Sequence, residues 1–454
     1  MKKILLLSTF IIALNLTSTG QSDFHSWTPT PPMGWNSWDC YGPTVVESEV
    51  KANADYMAAH LKKFGWEYIV IDIRWYVDND KAHGYNEKDP SFVMDEYGRF
   101  LPSPVRFPSA ANGQGFKPVA DYIHSKGLKF GIHIMRGIPK EAVKRNTPVL
   151  GSKVKACDIF NTDHLCKWLK DMYTVDAQKE GAQEYYNSLF KLYASWGLDF
   201  VKIDDLSAPF YHQDEIEMIR KAIDRCGRKI VLSTSPGETP VENREHIQSH
   251  ANMWRIVNDL WDNWKQLKEE FEVCNRWSSH VGEGHFPDCD MLPLGHIGIR
   301  AERGNDRMSG LTKDEQITMM TLFAIFRSPL MFGGNLPDND EFTLSLITNM
   351  DVLEVNQRST GNRQLFSQDG KIAWIAQDPK TGDIFLALFN ISDQAGPNTV
   401  EAENISVPLQ LLGINGTCVV RDLWNGKNLG KVKDEFVQSI RPHASGLYRI
   451  SMKK

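Results

Sequence analysis

The chain has 454 residues, enough for one large domain and a smaller one, each with its own core. Its formal net charge is −6, with 51 Lys+Arg against 57 Asp+Glu, and no basic stripe marks a nucleic-acid surface. Seven cysteines, at 40, 157, 166, 226, 274, 289 and 418, fit neither a zinc pattern nor a disulfide framework, and their odd number leaves at least one thiol without an intrachain partner.

From the N-terminus, Lys2 and Lys3 precede the apolar run 4–16 and the small residues Ser18, Thr19 and Gly20. This reads as a signal peptide over 1–20, too short to span a bilayer, and predicts an exported protein, periplasmic or extracellular. Removing its two lysines takes the charge from −6 to −8. No later apolar run is long enough for a membrane helix.

Short apolar, β-branched runs follow: "MGWNSW" (33–38), "YIVIDI" (68–73), "KFGIHI" (129–134), "FVKIDD" (200–205), "IVLSTS" (230–235), "MWRIVND" (253–259), "DMLPLG" (290–295) and "RSPLMFGGN" (327–335). Between them lie stretches of helical period that end in glycine, such as 47–65 and 181–197. This alternation predicts an α/β fold, a (β/α)8 TIM barrel with inserted loops, over 21–356. From 357 to 454 the texture changes to short strands ("KIAWIAQD", "DIFLALFNIS", "SGLYRIS") separated by Asp-Gly, Thr-Gly and Asn-Gly turns. That predicts a C-terminal antiparallel β-sandwich.

In such barrels the active site lies where strands end and βα loops begin. Polar residues collect there: Trp38, Asp72 with Arg74, His133 with Arg136, Lys202 with Asp204 and Asp205, Arg255 with Asp259, and Asp288 with Asp290. Two carboxylates facing each other among cations and aromatics suit glycoside cleavage, one attacking or stabilising the anomeric carbon and the other protonating the leaving oxygen. Lys202 would hold Asp204 as an anion. The 13 tryptophans agree with a sugar substrate, since aromatic faces stack on sugar rings, although most tryptophans are core. "PDNDE" (337–341) reads as a solvated loop rather than a calcium site, so no metal and no cofactor are expected.

"TPPMGWNSWDCYG", "KIDD", "WRIVNDLWDNW" and "DCDML" together resemble glycoside hydrolase family 27, which includes α-galactosidases, α-N-acetylgalactosaminidases and β-L-arabinopyranosidases. The resemblance implies a metal-free retaining double displacement. It assigns Asp204 as nucleophile and Asp259 as acid/base, and it places Trp38, Asp72, Lys202, Arg255 and Asp290 around the sugar. It also implies that Asp205 and Asp262 orient loops.

Four positions depart from the family's pattern. Ile73 stands where α-galactosidases carry a second aspartate after strand 2, and His133 replaces a tyrosine after strand 3. "SPGE" (235–238) replaces a Cys-Glu-Trp run. Leu206 replaces a cysteine that would pair with one in the strand-3 loop, leaving Cys157 without that partner. Ile73 is the informative change, because β-L-arabinopyranose has the ring stereochemistry of α-D-galactose but lacks its hydroxymethyl group. An unpaired carboxylate in that dry spot would cost about 1–3 kcal/mol, whereas isoleucine fills it. The expectation is an exo-glycosidase for terminal β-L-arabinopyranosyl groups of plant-type glycans, with α-galactosidase as the alternative and a non-catalytic sugar-binding barrel third.

Overall fold

A computed structural model describes residues 23–393 and 401–452. The expected leader, 1–20, lies outside the described residues. The barrel strands are β1 (Met33–Asn36), β2 (Tyr68–Ile71), β3 (Lys129–Met135), β4 (Phe200–Asp204), β5 (Val231–Thr234), β6 (Met253–Arg255), β7 (Phe286–Asp288), β8 (Met291–Leu292) and β9 (Leu330–Phe332). All pair in parallel, in the order β7-β6-β5-β4-β3-β2-β1-β9-β8.

The two ends of that order are halves of one segment. β7 pairs with β6 on one side, and β8 pairs with β9 on the other. Cys289 and Asp290 form the corner between them, with Asp290 at φ 78°, so the sheet closes on itself. The seventh strand therefore begins at Phe286, four residues before the expected run. Pro287 hid it, because a proline cannot donate to a ladder and reads as a strand breaker.

β1 and β2 pack closely enough to require a glycine: a Cβ on Gly34 would come within 2.6 Å of the Tyr68 Cβ. The outer layer includes α1 (Glu47–Tyr56), α2 (Lys117–Ser125), α3 (Ala182–Trp196), α4 (Gln213–Arg225), α5 (Arg244–Gln248), α6 (Trp264–Trp277) and α7 (Lys313–Phe326). α3 ends as its sequence demands, on Gly197 in the left-handed conformation at φ 89°. Two long loops, 72–116 after β2 and 136–181 after β3, rise over the C-terminal mouth of the barrel.

A final helix, α8 (Met350–Arg358), leads into the C-terminal domain. Its main antiparallel sheet orders the strands Thr360–Gln368, Lys371–Gln377, Ile384–Asn390, Ser445–Met452, Thr417–Asp422 and Lys427–Lys433, with Glu403–Pro408 and Glu435–Ile440 paired as a second layer. Alternation along 384–390 shows how the layers are built. Phe385, Ala387 and Phe389 join the core shared with the barrel, while Leu386 and Leu388 face the core between the two sheets. Phe389 meets Phe271 of α6 edge-on at 4.9 Å. No helix among the described residues is long and apolar enough to cross a membrane.

Candidate active site

A cavity of about 400 Å³ opens at the C-terminal ends of the barrel strands. Trp38, Ile73, His133, Lys202, Asp204, Arg255, Asp259 and Asp290 all line it. Asp72, the remaining expected residue, stands directly behind this lining and grips His133.

The "NSW" turn after β1 begins the construction. The Asn36 side chain accepts from the Trp38 amide at 2.9 Å, and Ser37 Oγ accepts from the Asp72 amide at 2.9 Å. Asp72 Oδ1 then takes a hydrogen bond from His133 Nδ1 at 2.6 Å, and Lys202 Nζ lies 3.9 Å from Oδ2. Burial pushes the Asp72 carboxyl up, but His133 and Lys202 outweigh it and hold it at about 2. Asp72 Oδ2 and His133 Nε2 are buried without a hydrogen-bond partner. Buried polar atoms left unpaired cost free energy, and both are free to take a hydrogen bond from or to a polar ligand.

Asp204 ends β4. Its Oδ2 accepts from Trp168 Nε1 at 3.2 Å and its Oδ1 from Ser235 Oγ at 3.1 Å, so each oxygen is oriented by a neutral donor. Across the cavity, Arg255 ends β6 and splits its guanidinium between two carboxylates. Nη1 lies 2.6 Å from Asp290 Oδ1, and Nη2 lies 3.2 Å from Asp259 Oδ1. Asp290 Oδ2 also accepts from the Leu260 amide at 2.8 Å, fixing the loop that carries Asp259. Burial raises Asp290 beyond what Arg255 and Lys202 offset. Asp259 goes the other way. Its side chain is 46% exposed at the rim, and although desolvation raises it, Arg255, Lys202 and Arg303 together hold it below its usual value.

Four strand-end groups prove structural. Arg74 binds Asp171 through Nε at 2.8 Å and Asp80 through Nη1 at 3.1 Å, so its guanidinium is spent beneath the β2 loop. Arg136 is buried against Asp205 and Glu215, each at 2.8 Å, and also donates to the His164 carbonyl. Asp205 is raised to about 7 by burial, in spite of Arg136. Asp288 accepts from the Asp290 amide at 3.0 Å and is raised to about 6, also by burial. The expectation for Asp262 as a loop neighbour has a geometric counterpart, since it accepts from Arg307 at 2.5 Å and from the Gly310 amide at 2.7 Å.

Other cavity residues went unread in the sequence. Tyr85 comes from the β2 loop and lies 6.0 Å from Trp38, ring to ring. Trp168 comes from the β3 loop, and Glu302 and Arg303 from the loop after β8. None lies in a periodic segment, so no local pattern marks them. Asp39 follows Trp38 directly and was there to be noticed; burial, reinforced by Asp290, pushes its carboxyl well above the usual range. Of the 13 tryptophans, six are fully buried (Trp35, Trp66, Trp75, Trp254, Trp277, Trp374), while Trp38, Trp168 and Trp261 face the cavity. Among the described residues one group of donors is close enough to hold a metal, Glu270, Cys274 and Cys289, behind the cavity wall.

Comparison with known proteins gives this geometry its context. The family model for alpha galactosidase A matches residues 30–176 and 170–358, and that for the alpha galactosidase C-terminal beta sandwich domain matches 369–450. A family 27 β-L-arabinopyranosidase variant from Geobacillus stearothermophilus, solved with arabinose, is 53% identical with a TM-score of 0.92, over 95% of this chain and 99% of that one. A Bacillus halodurans protein provisionally assigned as an α-N-acetylgalactosaminidase is 50% identical, with a TM-score of 0.84, over 93% of this chain and 97% of that one. Among curated proteins, alpha-galactosidase 2 of Arabidopsis thaliana is 26% identical over 94% of this chain and 90% of its own length. With both of its domains matched and its barrel closed around such a cavity, the chain belongs to glycoside hydrolase family 27.

Proposed function

We propose that the protein is an exported retaining exo-glycosidase that releases terminal β-L-arabinopyranosyl groups. The observation that carries this reading is Ile73. Its side chain lines the cavity immediately after Asp72, putting an apolar wall where a second carboxylate could bind a 6-hydroxyl. Arg74, the next residue, is held by Asp171 and Asp80 and does not line the cavity. A pyranose with hydrogen at C5 meets that wall with apolar contact. Galactose would press its hydroxymethyl group against it.

In this reading Asp204 attacks the anomeric carbon while Asp259 donates a proton to the departing oxygen. The glycosyl ester on Asp204 is then cleaved by water that Asp259 deprotonates. Trp168 and Ser235 keep Asp204 oriented for attack. The exposed rim position of Asp259 suits it to reach first the leaving group and then water. Asp72 Oδ2, His133 Nε2, Lys202 and the Arg255–Asp290 pair supply fixed partners for the ring hydroxyls. The 53% identity to an enzyme named as a β-L-arabinopyranosidase supports this choice of sugar. The curated relatives named as α-galactosidases, at 26–28% identity for the first two, favour galactose as the second reading.

The deciding measurement is kcat/KM for p-nitrophenyl β-L-arabinopyranoside against p-nitrophenyl α-D-galactoside. An arabinoside preference of roughly 10- to 100-fold is expected from loss of the O6 hydrogen bond and crowding at Ile73. A preference for the galactoside would overturn the reading. NMR of the first-formed sugar tests retention, and an inverted product would remove the double displacement.

A further inference from the structure

We propose that Cys274 and Cys289 are a disulfide site that ties α6 to the corner of the seventh strand. In the structure they stand as two thiols with their sulfurs 3.3 Å apart, both fully buried. They belong to different elements, Cys274 to the last turns of α6 and Cys289 to the bend between β7 and β8. The strand side is held in place, because the Cys289 amide donates to Ser328 Oγ at 3.0 Å. A disulfide would bring these sulfurs from 3.3 Å to about 2.05 Å.

The third member of the cluster, Glu270, lies one helical turn before Cys274, is 2% exposed, and has an Oε2 without a hydrogen-bond partner. Burial pushes all three groups up, away from the ionised forms that bind a metal. Three donors fall short of the four that a closed structural zinc site uses. Two sulfurs already in contact therefore point to a covalent pair rather than to a metal.

The chemistry balances as thiol–disulfide exchange. One thiolate attacks an external disulfide and releases one thiol, and the second cysteine displaces the other. The products are one intrachain S–S bond and two thiols, which are the reduced form of the external disulfide and carry the two protons of the cysteines. The oxidant class is a small-molecule or protein disulfide, as found in the oxidising compartments that the leader predicts. Because both sulfurs are fully buried and their thiols are shifted up, exchange occurs before α6 packs onto the strand. Once made, the bond is shielded from reductants. The loop it closes, from 274 to 289, carries Asp288 and leads into Asp290, whose carboxylate grips Arg255. The cross-link thus braces the cavity wall from behind.

The test is a thiol count on the full chain, made once in an oxidising compartment and once in a reducing cytoplasm, then alkylated in denaturant without reductant. The sequence has seven cysteines, so seven alkylated thiols are expected from the cytoplasmic protein, and five from the exported one, with 274 and 289 in one linked peptide. The deficit should survive Cys157→Ser and reductant treatment of the native protein, and vanish in Cys274→Ser or Cys289→Ser. Where a serine variant does not fold, the wild-type linked-peptide mass decides. The oxidised form should also unfold several degrees higher than the reduced form. Seven thiols in the exported protein would overturn the proposal. So would zinc released on denaturation together with all seven thiols, which would assign the trio to a metal.

Discussion

Two clusters of charge stand side by side above β2, β3 and β4, and they differ in one respect. In Arg136 with its partners Asp205 and Glu215, and in Arg74 with its partners Asp171 and Asp80, none of the buried polar side-chain atoms lacks a hydrogen bond. In the cavity Arg255 is likewise shared between Asp259 and Asp290, yet Asp72 Oδ2, His133 Nε2, Asp39 Oδ2 and Arg255 Nε have no hydrogen-bond partner. Matched groups fix a fold. Unmatched groups held by the same scaffold form a recognition surface, because the fold has already met the cost of their burial. The composition of the strand ends does not distinguish the two clusters. The count of satisfied atoms does.

The largest expected effect lies in the cavity. Asp204→Ala should lower kcat by roughly 10⁴-fold or more, with azide or formate restoring part of the rate on an activated aryl glycoside. Asp259→Ala should cost about 10²- to 10⁴-fold on poor leaving groups and far less on activated ones. Near-wild-type turnover by either variant, measured with both leaving-group classes, removes that residue from the chemistry.

Next in size is the opposite cluster. Arg136→Met strands two buried carboxylates and should destabilise the fold by about 3–5 kcal/mol, read as a lower denaturation midpoint. The kcat/KM of the molecules that stay folded should change little. His133→Asn, whose amide can still donate to Asp72 while the Nε2 end is lost, should reverse the pattern, with a small stability change and a large rise in KM. If both variants lose stability and activity together, the division between matched and unmatched clusters fails.

Ile73→Asp sharpens the comparison within the cavity. A carboxylate there can accept from a galactose 6-hydroxyl but faces an empty apolar spot beside arabinose. The arabinoside-to-galactoside ratio of kcat/KM should fall by roughly 10- to 100-fold. An unchanged ratio would place the 6-hydroxyl elsewhere.

The smallest effect is a pH shift at the rim, where Arg303 Nη2 lies 3.6 Å from Asp259 Oδ2. A cation beside a carboxylate favours the anion, so it lowers the carboxyl's pKa, and the general acid loses its proton as pH rises through that value. The alkaline limb of kcat/KM should therefore lie on the acid side. Arg303→Ala removes one of the groups that depress Asp259 and should move that limb to higher pH. A pH–rate profile with an unmoved or acid-shifted limb would show that Arg303 does not act on the acid.

The sequence by itself determined the alternation of strand and helix, the antiparallel strands of the C-terminal part, and the polar residues at the ends of β2, β3 and β4. Apolar period and glycine stops are local, so they are written in neighbouring residues. Asp204 after "KI" and Asp259 four residues beyond Arg255 are visible for the same reason. Only the tertiary structure decided that the seventh strand starts at Phe286 and bends at Asp290, since a parallel ladder overrode the signal from Pro287. It also decided which charges line the cavity. Arg74 and Arg255 read alike at their strand ends, but one is bound by Asp171 and Asp80 away from the cavity while the other lines it beside Asp259 and Asp290. Tyr85, Trp168, Glu302 and Arg303 reach the cavity on loops whose paths depend on contacts with remote parts of the chain. Position relative to a distant partner is a property of packing, and no run of neighbouring residues encodes it.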